Sequence, residues 1–314
     1  MSCLPLGEES LIARIRRETR QGRNVIAGIG DDCAILRIPP GHEALVTTDF
    51  SLEGIHFRQE WHAPEVVGHR CLTRGLSDIA AMGGQPIAAF LSLALPPKLP
   101  QAWVDRFLKG LLKLADAFHV TLAGGDTAES PDGVLADIVV VGSVPKGKAI
   151  RRTGARAGEN IYVTGYLGGS AATLNLLRSG HKLRAADFPA HFYPAARVAV
   201  GRILREKRLA SAMIDISDGL STDLAHLCEE SGVGAELWQE SIPIASIGKP
   251  PRLVPLRCAL HGGDDYELLF TARADRAIPG IPIGRITRGK GIFLVDRQGK
   301  KVRLVPEGWQ HFGA

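Results

Sequence analysis

Apolar positions along the chain switch repeatedly between helical and strand spacing. The clearest helix is Gln101–His119, where Val104, Phe107, Leu108, Leu111, Leu112, Ala115 and Phe118 recur at steps of three and four behind Pro100. Glu8–Arg20 reads as a short amphipathic helix on Leu11, Ile12 and Ile15, and Pro64–Met82 as a helix stopped by Gly83-Gly84. Strand-like runs lie at Ala44–Thr48, at Ile87–Leu95 before Pro96-Pro97, and at Val134–Val144. The second half repeats the alternation. Strands are expected at Asn160–Thr164, Met213–Ile216, Tyr266–Thr271, Ile281–Ile286 and Ile292–Val295. Helices are expected at Ser170–Leu177, at Ala195–Lys207, and from Leu220 to a stop near Gly232.

Mixed strands and helices in both halves predict an α/β (α+β) fold. Lys146–Gly158, basic and broken by glycines, marks a boundary between two domains, 1–145 and 146–314. A chain of 314 residues fits two domains, because single cores stop growing near ~250 residues. The longest apolar stretches, Ala88–Leu95 and Ile138–Gly142, fall far short of the roughly 18 residues of a membrane span. Met1–Ser10 carries Glu8 and Glu9 and lacks the basic flank of a secretory signal. A soluble chain is expected. Five cysteines, odd in number and without a Cys-x-x-Cys pair, fit a reducing cytoplasm better than a disulfide framework or a thiolate zinc site.

The net charge of +5 divides unevenly. Residues 1–145 hold 13 Lys+Arg against 17 Asp+Glu, and the remainder 25 against 16, giving −4 and +9. The basic residues are scattered, as in Arg202–Arg208 and Arg285–Lys301, with no recognisable nucleic-acid module, so nucleic acid is not an expected partner. Glycine is the compositional outlier, 36 residues or about 11% against a typical ~7%. The glycines gather beside aspartates.

Those aspartates share a local grammar in which an apolar run ends, small residues follow, and a carboxylate stands at the turn. It occurs at Gly30-Asp31-Asp32, Thr47-Thr48-Asp49, Gly124-Gly125-Asp126, Asp215-Ile216-Ser217-Asp218-Gly219 and Gly263-Asp264-Asp265; Ser77-Asp78 sits among small residues inside the helix Pro64–Met82. Any one site is ordinary turn or capping chemistry. Six are not, because adjacent carboxylates repel unless a cation or protons neutralise them. Oxygen donors without His or Cys partners suit Mg²⁺ and phosphate rather than zinc. Gly142–Ala149 matches a phosphate loop through Gly147-Lys148, but Ala149 offers no hydroxyl and Pro145 removes an amide. No Asp-x-Asp and no His-Glu-x-x-His occurs. The two Gly-Gly-Asp triplets, at 124–126 and 262–264, hint at an ancient duplication.

The ordered set of pieces resembles the thiamine-monophosphate kinase family, within the superfamily of aminoimidazole ribonucleotide synthetase and selenophosphate synthetase. Besides the acidic motifs above, it includes Gly54-Ile55-His56-Phe57, Leu76–Gly83, Arg152-Thr153-Gly154-Ala155, Asp264-Asp265-Tyr266-Glu267-Leu268 and Gly308-Trp309-Gln310-His311-Phe312. The resemblance implies an N-terminal ATP- and Mg²⁺-binding domain that dimerises through its sheet, and a C-terminal domain completing the ATP and substrate site near the interface of the two. By motif position, Asp32, Thr47, Thr48, Asp49, Asp78, Asp126, Asp215 and Asp218 would be metal ligands, with Asp31 close by. Gly125, Asp126, Arg152 and Ser217 would meet ATP, and His56, Asp264 or Asp265, and Trp309 would lie on the thiamine side. The family usually has Glu-Asp where this chain has Asp264-Asp265.

The implied reaction moves the γ-phosphoryl group of ATP directly to thiamine monophosphate in a cytoplasmic homodimer. Its nucleophile, a phosphate oxygen, is already ionised at neutral pH, so no catalytic base is expected. The obstacle is two polyanions, met by several Mg²⁺ ions and an Arg clamp at Arg152. A selenophosphate synthetase would need a reactive Cys that Cys3 does not resemble, and a purine cyclo-ligase matches the His56 and Trp309 segments less well. A regulator that had lost turnover would not need the full set of aspartates.

Overall fold

The spacing behind Pro100 becomes a helix over Gln101–Phe118, ended by His119 in the left-handed conformation at φ 56°. Its buried face holds Trp103, Val104, Phe107, Leu108, Leu111, Leu114 and Ala115, while Leu112 and Phe118 are only half-buried at its margin. The structure is a computed structural model and describes residues 7–30 and 32–310. Two compact units make up the chain: residues 1–79 with 84–147, and residues 80–83 with 148–314.

The first unit runs α1 (Gly7–Glu18), β1 (Val25–Ala27), β2 (Ile35–Leu36), β3 (His42–Leu52), α2 (Pro64–Ala81), β4 (Gln85–Leu95), α3 (Gln101–Phe118), β5 (Thr121–Glu129) and β6 (Leu135–Pro145). β1 and β2 form a two-stranded ribbon. The other strands make one sheet in the order β3-β6-β4-β5, with only β4 and β5 parallel. β3 is an edge strand whose burial alternates along its length. Arg106 of α3 grips Glu65 of α2 through both guanidinium branches, at 2.7 and 2.8 Å. Phe107 is completely buried and stacks on Trp103 with ring centroids 5.6 Å apart.

In the second unit the elements are β7 (Asn160–Val163), α4 (Gly169–Arg178), α5 (Pro189–Phe192), α6 (Val198–Glu206), β8 (Ala212–Asp215), α7 (Leu220–Ser231), β9 (Gly234–Trp238), β10 (Ser246–Ile247), β11 (Arg252–Leu253), α8 (Leu256–His261), β12 (Leu268–Ala272), β13 (Ile281–Thr287), β14 (Ile292–Val295) and β15 (Lys301–Arg303). Seven strands form a sheet in the order β15-β14-β9-β13-β7-β12-β8, antiparallel except for β14 on β9. Its core is Ile161, Val163, Ile214, Leu224, Leu237, Leu269, Ile283 and neighbours.

Two strands differ from the sequence expectation where it matters. Val46 to Leu52 continue β3, so Thr47, Thr48 and Asp49 lie in mid-strand rather than at a strand end. β5 likewise passes through Gly124-Gly125-Asp126 instead of turning there. Gly125 makes that possible: at φ 155°, a Cβ on it would stand 1.9 Å from the Leu91 carbonyl oxygen of β4. A side chain would force β5 away from the ladder, so glycine here extends a strand instead of breaking it. The second Gly-Gly-Asp, at 262–264, is irregular backbone after α8, so the two triplets share no local structure. Gly142–Pro145 belong to β6, and the next helix among the described residues is α4, which removes the phosphate-loop geometry. The helix expected from Ala195 begins at Val198, and β9 was not anticipated.

Candidate functional site

The acidic residues of the first unit divide between the two faces of its sheet. Successive side chains of a strand point to opposite faces. Thr47 faces α2 and donates its hydroxyl to Asp78 Oδ2. α2 comes close there because residue 75 is glycine, where a Cβ would stand 2.5 Å from Val140 Cγ2 of β6. Asp49, two residues on, shares that face and lies near Cys71, whose thiol burial pushes up to about 12. Thr48 points the other way, and its hydroxyl bonds Asp137 Oδ1 at 2.8 Å. The ladder register sets Asp126 beside Ser92 and Ser92 beside Asp137, in the row of that second face. Asp126 is exposed, and its Oδ1 accepts the Thr127 N–H at 2.9 Å. Thr47, Asp49 and Asp78 therefore form one set and Thr48 and Asp126 another. Asp32 is exposed beyond β1, and Asp31 lies outside the described residues.

His56 follows β3 in the turn Gly54-Ile55-His56-Phe57. Its Nδ1 accepts the Leu52 N–H at 3.0 Å, so the neutral ring carries its proton on Nε2 and presents that nitrogen as a donor.

The second unit brings several candidates together around one loop. Asp215, 4% exposed, closes β8, and Ser217-Asp218-Gly219 leads into α7. Asp223 in the first turn of α7 accepts the Asp218 and Gly219 N–H groups at 3.1 and 2.9 Å. Burial, reinforced by the charges of Asp215 and Asp218, pushes Asp223 up to about 8. Asp223 was absent from the sequence-derived set; an acid in the first turn behind a Gly N-cap was the available signal.

Two further segments clamp the same loop. Trp309 N–H donates to the Asp218 carbonyl at 3.0 Å, and Gly308 N–H to Thr222 Oγ1 at 3.0 Å. Only glycine fits at 308, since a Cβ would stand 2.3 Å from Asp218 O. Trp309 as a residue is 45% exposed. On the other side, Asp264 N–H donates to Ser217 O at 2.8 Å. Asp264 and Asp265 have different surroundings. Asp265 is buried, its Oδ2 accepts the Gly168 N–H at the start of α4 at 2.7 Å, and burial pushes it up to about 8. Asp264 is half-buried and bonds the Tyr266 hydroxyl.

Arg152 is placed differently from the other candidates of this unit. It is exposed, and its carbonyl accepts Ser231 Oγ at 2.8 Å at the end of α7 remote from Asp218. The Met213 N–H donates to the carbonyl of the preceding residue, Arg151, at 3.0 Å, so this segment runs beside β8 two residues before Asp215. Among the described residues no three His, Cys, Asp or Glu side chains converge as a ready-made metal cage.

Comparison with known proteins gives these sites a family. Residues 30–144 match the family model described as AIR synthase related protein, N-terminal domain, and residues 156–307 match its C-terminal domain. The chain is 37% identical to thiamine-monophosphate kinase of Escherichia coli (strain K12) over 335 aligned positions, covering 99% of each. Its structure is similar to thiamine-monophosphate kinase from Stenotrophomonas maltophilia K279a, with a TM-score of 0.82, 36% identity, and coverage of 95% of this chain and 98% of that one. It is also similar to AaThiL complexed with AMPPCP and TMP, with a TM-score of 0.78, 31% identity and 99% of each chain covered. The chain belongs to the thiamine-monophosphate kinase family, built from the two AIR synthase related domains.

Proposed function

We propose that this chain transfers the γ-phosphoryl group of ATP in line to the phosphate of thiamine monophosphate, with several Mg²⁺ ions, yielding thiamine diphosphate. One observation carries the site assignment: the backbones of Asp264 and Trp309 hydrogen-bond to the consecutive carbonyls of Ser217 and Asp218, in the loop that follows Asp215 at the end of β8 and bears Asp218. A carboxylate and an accessible indole thus flank a pair of acidic side chains. The complex of the relative AaThiL with AMPPCP and TMP supports both substrates.

The residues fit Mg²⁺. Their donors are hard oxygens, and the carboxyl of Asp223 is pushed up first by burial and then by the charges of Asp215 and Asp218 close to it. The lack of a closed cage among the described residues suits an ion that keeps waters and substrate phosphates as ligands. Asp32, Thr47, Thr48, Asp49, Asp78, Asp126, Asp215 and Asp218 are assigned as ligands distributed among the several ions, and Asp31, outside the described residues, is kept in the set on its motif alone. Bound Mg²⁺ would supply charge neutralisation between two polyphosphate groups.

The protein's own groups orient and bind. Gly125, Asp126, Arg152 and Ser217 are assigned to ATP. Arg152 is assigned as the phosphate clamp, a reading supported by the Met213 N–H bond to the Arg151 carbonyl, which sets residue 152 near the strand that ends in Asp215. His56 offers Nε2–H, Asp264 its carboxylate, and Trp309 a face for the cationic thiazolium, a contact of about 1–2 kcal/mol when desolvated. Between the paired aspartates, Asp264 takes the substrate role, because Asp265 is committed to the start of α4.

A homodimer is supported by β3, an edge strand whose outward positions include Val46, 67% exposed, and Phe50, 55% exposed. A cytoplasmic location is supported by the unpaired state of Cys33, Cys71, Cys228 and Cys258, and no helix among the described residues is long and apolar enough to cross a membrane. Incubation of the purified protein with ATP, Mg²⁺ and either thiamine monophosphate or thiamine tests the reading. Thiamine diphosphate should form from the monophosphate; its absence, or formation from thiamine alone, would refute the assignment.

A further inference from the structure

The segment Asp264–Glu267 holds two non-glycine residues in the left-handed region, Asp264 at φ 63° and Tyr266 at φ 52°. Such residues persist only where their surroundings over-determine the backbone. Here the segment is pinned along its length. Asp264 N–H bonds Ser217 O, Tyr266 N–H bonds Ile216 O at 2.9 Å, and Ile216 N–H returns a bond to Glu267 O at 2.8 Å. Asp265 is tied to the Gly168 N–H, while the Glu267 carboxylate is held by Arg197 Nε at 2.7 Å and by the Thr164 hydroxyl.

This folding of the backbone turns the side chains of residues 264 and 266 toward each other. The Tyr266 hydroxyl donates to Asp264 Oδ1 at 2.6 Å. The tyrosine is 1% exposed, so packing immobilises its ring and its hydroxyl is delivered from a fixed position. Asp264 is only half-buried, so its carboxylate stays open to a ligand. A rigid donor at this distance favours the side-chain rotamer that points Oδ1 at the hydroxyl.

We propose that Tyr266 is a positioning residue for thiamine monophosphate: it touches no substrate but fixes the orientation of the Asp264 carboxylate that the substrate meets. The inference rests on the assignment of Asp264 to the substrate side. Pre-organisation of this kind lowers the cost of ordering on binding, and it should act on one substrate only, since Asp264 is not among the residues assigned to ATP.

Tyr266→Phe keeps the ring and removes the donor. Steady-state rates should show the KM for thiamine monophosphate raised about tenfold, the cost of losing a charge-assisted bond partly replaced by water, with kcat and the KM for ATP within about twofold of the parent. Asp264→Asn should raise the same KM, and adding Tyr266→Phe to it should raise it little further, because the donor then has no carboxylate to orient. If Tyr266→Phe leaves the KM for thiamine monophosphate unchanged while Asp264→Asn raises it, the positioning role is wrong and the site assignment stands. If neither raises it, the assignment of Asp264 itself fails. A Tyr266→Phe protein in which kcat, both KM values and the melting temperature all deteriorate together would make Tyr266 a structural residue only.

Discussion

Substituting Gly308 by alanine isolates the docking of the C-terminal segment from the chemistry of its tryptophan. A Cβ at 308 would stand 2.3 Å from Asp218 O and 2.4 Å from Thr222 Oγ1, both parts of the α7 entry and neither a flexible side-chain end. The segment must lift, opening the Gly308 N–H bond to Thr222 Oγ1 and the Trp309 N–H bond to the Asp218 carbonyl, each 3.0 Å long. At about 1 kcal/mol net for each, the docked state loses about 2 kcal/mol. That corresponds to roughly a thirtyfold fall in the docking equilibrium. The loss is similar to that expected from Trp309→Ala, which removes a ring contact worth about 1–2 kcal/mol. Initial rates measured against thiamine monophosphate should give a KM raised roughly 5- to 30-fold in both variants. The KM for ATP should stay near that of the parent protein, because neither residue is assigned to the nucleotide. Gly308→Ala should also make the chain more readily cut by trypsin after the exposed Arg303. A Gly308→Ala enzyme with the parental KM for thiamine monophosphate would refute the idea that this docking presents Trp309 to the substrate.

Three other outcomes follow from the structure. Thr47→Ala, which removes the hydroxyl bonded to Asp78, should raise the Mg²⁺ concentration needed for half-maximal rate several-fold; an unchanged requirement in a Mg²⁺ titration would contradict the assignment of Thr47 as a ligand. Glu236 is held well below the usual carboxylate range, first by Lys301 and then by Arg285, so its contribution to stability is present above its ordinary value near ~4.3 and is lost as pH falls through its lower folded value. Urea unfolding should therefore show Glu236→Gln less stable than the parent at neutral pH, with the gap closing below about pH 4; a gap that persists there would point to packing instead. Phe107→Ala, at a completely buried ring stacked on Trp103, should cost about 3–5 kcal/mol in the same assay, and a loss under about 1 kcal/mol would contradict its place in the core.

Much of the fold was legible because burial and local spacing agree. The α3 helix could be read from Phe107, Leu108 and Leu111, since a helix that covers a sheet must repeat its apolar positions every three or four residues. β14 was predicted to the residue, Ile292–Val295, for the analogous reason in a short buried strand. The reading failed where glycine meant two different things. At Gly232 it is the left-handed cap that ends α7, as expected, whereas at Gly124-Gly125 it lets β5 run past Leu91 without a break. Sequence spacing cannot separate a glycine that turns the chain from one that lets two backbones touch, because the difference lies in the neighbouring strand.

The same limit divides the site. Residue types alone supplied the expectation for its chemistry: six aspartate-bearing motifs suggested a divalent cation and phosphate, and their order along the chain pointed to the family, which the relatives bear out. Tertiary structure decided which side chains lie together. It put the adjacent Thr47 and Thr48 on opposite faces, one against Asp78 and the other against Asp137, because β3 continues through both with a period of two. It separated Asp264 from Asp265, committing the second to the start of α4 and setting the first against Tyr266. It brought Trp309 to Asp218 and Asp264 to Ser217 across 91 and 47 positions of sequence, through backbone hydrogen bonds that no side-chain pattern encodes. Composition records which groups a chain carries, but the direction and company of each depend on strand register and on backbone contacts made between residues far apart in sequence.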